Sequence, residues 1–197
     1  MAPDEMLVMY GKAVGGELPS RIADLLSAAI DVQFAQAAFE RVANEKDELL
    51  TRALWEAGVI AYRRGFTSGR ALLAADRSRT RVPSEIVENL EPPLQEIHAS
   101  ILEAANKHVA HRVDDRELLK VILLLSNPVV ARGVLGVTHI HARYVAPPAE
   151  EARDAGRLAE LIRTEIEAAV KDLEEALVAE ATKTDIAALY DGATPMG

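Results

Sequence analysis

Cysteine is absent from the 197 residues, which removes disulfides, thiolate zinc sites and thiol nucleophiles together. Aromatic residues are scarce, at 4% against a hydrophobic content of 49%. Ala, Leu, Val and Ile must therefore fill the interior, a mixture that suits helices packed at close range better than a sandwich of sheets. No stretch approaches the roughly eighteen apolar residues a membrane span needs. The opening Met1-Ala2-Pro3-Asp4-Glu5 lacks the basic flank and apolar run of a secretion signal. A cytoplasmic protein with no membrane partner is the expectation. Basic charge is in deficit: the formal net charge of −9 argues against a general nucleic-acid coat, though it leaves room for a local basic groove. Walker loop, dinucleotide glycine fingerprint and Gly-x-Ser-x-Gly elbow are all missing, so no cofactor is expected.

What is present reads as one domain over 1–197, mainly α, a helical bundle with a small antiparallel β-ribbon before a long C-terminal helix. Residues 1–18 carry Gly11, Gly15 and Gly16 without periodicity and read as a flexible arm. The bundle core covers 19–115. Pro19-Ser20 opens its first helix, with Ser20 as the expected cap. Ile22, Leu25, Leu26, Ala29, Ile30, Phe34, Ala37 and Ala38 form the apolar stripe. Asn44, with Asp47 at capping-box spacing, restarts the pattern. Leu50, Leu54, Ala57 and Ala61 then recur every three or four residues, with Trp55 beside them. Pro83-Ser84 starts a short helix, and Pro92-Pro93 ends it or begins the next, whose stripe is Leu94, Ile97, Ile101, Leu102 and Ala105.

After Asp114-Asp115 the period changes. Leu118 to Leu125 is rich in apolar residues and too uniform to assign by period alone, Ser126-Asn127-Pro128 signals a turn, and Val137 to Val145 alternates, with His139, His141 and Arg143 on one face. This predicts an antiparallel ribbon over 117–146 leaning on the helices. A helix over 149–181 carries Leu158, Ile162, Ile166, Val170, Leu173 and Leu177 on one stripe and offers a dimer surface. Residues 182–197 form a tail. No repeat, low-complexity tract or linker divides the chain.

Three constellations could carry chemistry. In Asn106-Lys107-His108-Val109-Ala110-His111-Arg112, His108 and His111 lie on neighbouring positions of one helix face, which His98 can share, being close to three turns upstream. A positioned imidazole can accept or donate a proton near neutrality, and Lys107 or Arg112 could stabilise charge on a phosphate. The bland reading caps or packs one histidine and leaves the other in water. His139-x-His141, with Asp114 or Asp115, is the nearest approach to a metal site, but it lacks the convergent ligands of zinc and no metal is expected. Arg63, Arg64, Arg70, Arg77, Arg79 and Arg81 face the single acid Asp76 within 63–81. They could hold phosphate from RNA or a nucleotide, or an acidic partner. Alternatively they form a solvated helix end balanced by acids of the C-terminal helix.

The stretch IHASILEAANKHVAHRV (Ile97–Val113) resembles the motif of HEPN-like helical-bundle proteins, in which an arginine and a polar residue precede a histidine on one helix. RALWEAGVIAYRRGFTSGR (Arg52–Arg70) is similar to the second helix of bacterial and phage members, and the resemblance covers roughly residues 20–115. It implies a bundle, commonly a homodimer, with two motifs facing across a cleft. Active members are metal-independent endoribonucleases of toxin–antitoxin, phage-defence and CRISPR-linked systems. The resemblance makes His111 the catalytic histidine and Asn106 its polar companion. His108, Lys107, Arg112, Arg63, Arg64 and Arg70, from the two basic constellations above, are the candidate supporting or phosphate-binding residues beside them. Its partners would be RNA, a nucleotide, an antitoxin or another protein. The motif arginine is replaced by Ala105, and losing one such preorganised charge costs about 3–4 kcal/mol of transition-state stabilisation. Cleavage with a substitute cation, binding without cleavage, and a plain non-catalytic assembly or interaction protein are the resulting alternatives.

Overall fold

The computed structural model describes residues 9–74, 76–106, 117–130, 132–143 and 146–196, without the side chains of 117–119 and 141–143. The described elements run β1 (Met9–Gly11), α1 (Glu17–Val42), α2 (Glu48–Phe66), α3 (Ser84–Glu88), α4 (Pro92–Ala104), β2 (Glu117–Leu125), β3 (Val134–Arg143), α5 (Ala149–Ala181), α6 (Ile186–Tyr190) and β4 (Thr194–Met196). The expected mainly α architecture is present, including the ribbon and the helix over 149–181. Two compact units share the longest helices: one contains residues 1–33, 64–89 and 159–197, the other 34–63 and 90–158.

In the first unit, Leu25, Ala28, Ala29 and Val32 of α1 are buried, as are Val82 and the α5 residues Ala159, Ile162, Ile166 and Val170. Leu173 and Leu177 remain half-exposed. The helix begins earlier than Pro19-Ser20 suggests. Gly16 takes φ +113° and its carbonyl accepts from the Ser20 N–H at 3.3 Å. Ser20 is thus inside the first turn, and its buried hydroxyl has no hydrogen-bond partner among the described residues. β1 pairs antiparallel with β4, Tyr10 opposite Pro195. The 1–18 arm is therefore tied, over its described part, to the tail. Lys12 Nζ donates to the Ala188 carbonyl at 2.8 Å.

In the second unit, the core is aromatic where it can be. Phe39 lies 5.1 Å from Trp55 and 6.5 Å from Tyr62, ring centre to ring centre. Val42, Val59, Ile101, Ala104, Ala152, Ala155 and Leu158 are among the other buried residues. Asp47, not Asn44, caps α2, its carboxylate accepting from the Leu50 N–H at 3.0 Å. The buried face of α2 runs Trp55, Gly58, Val59, Tyr62 and is rotated from the stripe that the aliphatic spacing suggests. Leu50 and Ala57 are exposed. The reason is area: an aromatic ring removes far more apolar surface from water than an alanine, so Trp55 and Tyr62 set the rotation. On α1 the expected Leu25, Ala29 and Ala38 are buried, whereas Leu26, Ile30 and Phe34 are exposed at 42, 66 and 53% and Ala35 and Phe39 turn inward.

Contrary to the expectation that no stretch is apolar enough, α1 could span a bilayer by length and mean hydropathy, but half of its most apolar window is buried inside the protein. Asp24, in its first half, is 1% exposed and hydrogen-bonded. Both features belong to a core helix.

β2 and β3 form a two-stranded antiparallel ribbon with Val121 opposite His139 and Leu123 opposite Val137. Ser126 N–H donates to the Gly133 carbonyl at 3.0 Å, and Asn127 organises the turn by accepting from the Val129 N–H at 2.9 Å. Rather than leaning on helices, the ribbon exposes Val121, Leu123 and Val137 on one face and Leu124 and Ile140 on the other. Val129 and Val130 at its turn are 90 and 84% exposed.

Candidate functional site

The described part of the histidine segment is the end of α4. Prolines 92 and 93 occupy the first turn, where a missing N–H breaks no helical bond. At the other end the Ala105 N–H donates to both Ile101 and Leu102 carbonyls, and the backbone widens into a π-type turn at Ala105–Asn106. Ala105 is fully buried and Asn106 is exposed. Lys107, His108, His111 and Arg112 lie outside the described residues, as do Asp114 and Asp115.

About two turns before Ala105, His98 meets α2. Its Nδ1 lies 2.8 Å from the Tyr62 hydroxyl. Burial pushes the Tyr62 phenol well above its ordinary value, so it keeps its proton, and burial lowers His98, so neutral imidazole is favoured. The imidazole tautomer sets which of the two groups donates in this hydrogen bond. The rings meet edge-on at 5.7 Å between centres. This pair joins residues 36 apart in sequence, and no local pattern announces it.

The arginine segment resolves into bound and unbound members. Glu17, Asp24 and Asp31 are seven residues apart on α1 and share one face of the helix. Asp24 receives the Leu72 and Thr80 N–H groups, each at 2.9 Å. Arg79 donates to Ser27 Oγ at 3.0 Å and lies 4.0 Å from Asp31. Arg64 pairs with Asp31 at 3.3 Å, and Arg77 with Glu17 at 3.8 Å. The balancing acids are those of α1, not of the C-terminal helix. Arg63, Arg70 and Arg81 form no ion pair among the described residues; Arg63 is half-buried, while Arg70 and Arg81 are exposed. The acid spacing on α1 was a readable signal for this arrangement, since three carboxylates on an apolar helix need partners.

His139 is exposed on the ribbon. Among the described residues, no three His, Asp or Glu side chains converge closely enough to hold a metal ion. Comparisons with protein families, with curated proteins and with solved structures give no match.

Proposed function

We propose that the protein is a non-catalytic helical assembly protein of the cytoplasm, with a HEPN-like helical core, that joins a second copy of itself through the β2–β3 ribbon. The observation that supports this reading is the ribbon's exposure. Ten Val, Leu and Ile side chains between Val121 and Ile140 are exposed in one element. An isolated two-stranded hairpin is marginal in water, and apolar patches of this kind mark interaction surfaces. At roughly 60–120 Å² for each fully buried aliphatic side chain, the exposed fractions summed over both faces and the turn amount to about 400–800 Å² per copy, of which a contact through one face covers a part. A two-fold contact fits, because it needs only one patch that matches itself. Lys120 and His139 are the described charged or titratable strand side chains, and both lie at the half away from the turn. Neither interrupts the apolar half.

The alanine that stands where the resemblance calls for an arginine also favours assembly over cutting. Ala105 is fully buried, and Arg64, Arg77 and Arg79 are engaged by α1 carboxylates. Light scattering on the full chain tests the proposal, with Val121→Lys and Leu123→Lys combined at exposed positions. We expect a dimer for the parent and a monomer of unchanged helicity for the variant. A monomeric parent at tens of micromolar, or a variant of unchanged mass, would sink it.

A second reading, RNA binding or cleavage of the toxin or phage-defence type, is favoured by one observation. The exposed Asn106 sits where α4 loosens into a π-type turn, next to Lys107 and His108 in sequence. Under this reading His111→Ala abolishes RNA cleavage and growth inhibition. Equal activity in the variant removes it.

A further inference from the structure

A cleft of about 390 Å³ opens in the second unit between α4, the start of α5 and Trp55 of α2. Its apolar wall includes Trp55, Ile97 and Ile101, and its polar margin carries Glu96, Glu151 and Asp154. The volume falls within the range of small-ligand sites, which combine an apolar lining with a few polar groups. No lysine, arginine or histidine lines it among the described residues. The three acids make no ion pair or hydrogen bond with the described residues.

Helix termini give those acids a partial explanation, and its size can be judged. Glu151 and Asp154 lie in the first turns of α5, and Pro93 in the first turn of α4, where each N-terminus carries about half a positive charge. Two termini offset about one of three carboxylates. About two negative charges remain beside an apolar, tryptophan-lined cavity. Anions such as nucleotides are repelled there. A compact metal ion is also disfavoured, because no three acidic side chains among the described residues converge closely enough to ligate one. The charge is spread around an apolar wall. An ammonium beside an indole gains from both the carboxylates and the ring.

We propose that this cleft binds a small organic cation, an amine or quaternary ammonium with an apolar body. At about 30 Å³ for each water-sized volume, the cavity accepts a ligand of about ten to fifteen non-hydrogen atoms. Trp55 is the single tryptophan of the chain, so its fluorescence reports this site alone.

The test is a fluorescence titration of the full-length protein, excited at the red edge of tryptophan absorption, with benzyltrimethylammonium as probe. Benzyl alcohol, magnesium chloride and ATP are compared at matched ionic strength. We expect a saturable change with the cation, at least tenfold weaker apparent binding of benzyl alcohol, and no saturation with magnesium or ATP. Glu151→Gln with Asp154→Asn should weaken cation binding at least tenfold. Glu96→Lys, at an exposed position, should do the same and serves if the double variant loses its circular dichroism. No saturable change with benzyltrimethylammonium overturns the proposal. So does equal affinity for benzyl alcohol, saturation by magnesium or ATP in its place, or undiminished cation binding in a folded variant.

Discussion

Asp24 shows how one side chain can organise a segment distant in sequence. Its carboxylate is 1% exposed and takes two backbone N–H groups from a loop roughly fifty residues away. Charge-assisted hydrogen bonds are stronger than neutral ones, and a buried N–H left unpaired costs about 1–3 kcal/mol. Asp24→Ala should therefore destabilise the protein by about 2–4 kcal/mol and open the 67–82 loop to trypsin at Arg70 and Arg77. Urea melts and limited proteolysis check both outcomes. Asp24→Asn keeps one acceptor oxygen and should lie between. His98 yields a pH prediction whose sign follows from its environment. Its pKa is lowered from 6.5 by burial, so the unfolded chain binds a proton more readily than the folded one. The stability contributed by neutral His98 is complete above about pH 6.5 and is lost as pH falls below that value. Urea midpoints of the parent should therefore drop more steeply between pH 7.5 and 5 than those of His98→Gln. Parallel curves would remove the effect from His98.

Among the elements, helix periodicity located the helices but left their rotation open. α2 offers two near-equivalent faces, one lined by Leu50, Leu54 and Ala57, the other by Trp55, Val59 and Tyr62, with Ala61 also buried. Packing selected the second, because the aromatic cluster with Phe39 buries more apolar surface. Gly58 permits that choice. A Cβ placed there would lie 2.8 Å from Phe39 Cε1 and 3.0 Å from its Cδ1, and Phe39 is fully buried. Gly58→Ala gains up to about 1 kcal/mol in helix propensity but must displace a packed ring, an overpacking cost of about 1–3 kcal/mol. A net loss of stability and a changed near-ultraviolet dichroism are expected. A stabilised variant would contradict this packing. The ribbon is a different case: its antiparallel pairing and turn were legible from Ser126-Asn127-Pro128 and the alternation after Val137, while its register came from the structure. Its exposure was not, since an apolar strand reads alike whether a helix, another copy or water covers it.

For the whole molecule, charge distribution bounds what the surface can do. Of the six arginines between 63 and 81, Arg64, Arg77 and Arg79 face α1 carboxylates. Arg63, Arg70 and Arg81, with Lys107 and Arg112, make five cations that the two candidate clusters could offer to phosphates. Single-stranded RNA binding should then show a log–log salt slope no steeper than about −3.5. Filter binding from 50 to 300 mM salt tests this, and a steeper slope would require cations from elsewhere. The sequence by itself determined the helical class, the ribbon and the bounds of the long helix, because periodicity, turn residues and prolines act locally. It also determined that alanine stands at 105, where the resemblance calls for an arginine. Only the tertiary structure decided which helix faces are buried and that α1 neutralises half of the arginine cluster. It alone decided that Tyr62 meets His98 and that a tryptophan-walled acidic cleft lies in the same unit. Those outcomes depend on pairings between residues far apart in the chain, where total buried area and the matching of charges outweigh any local spacing.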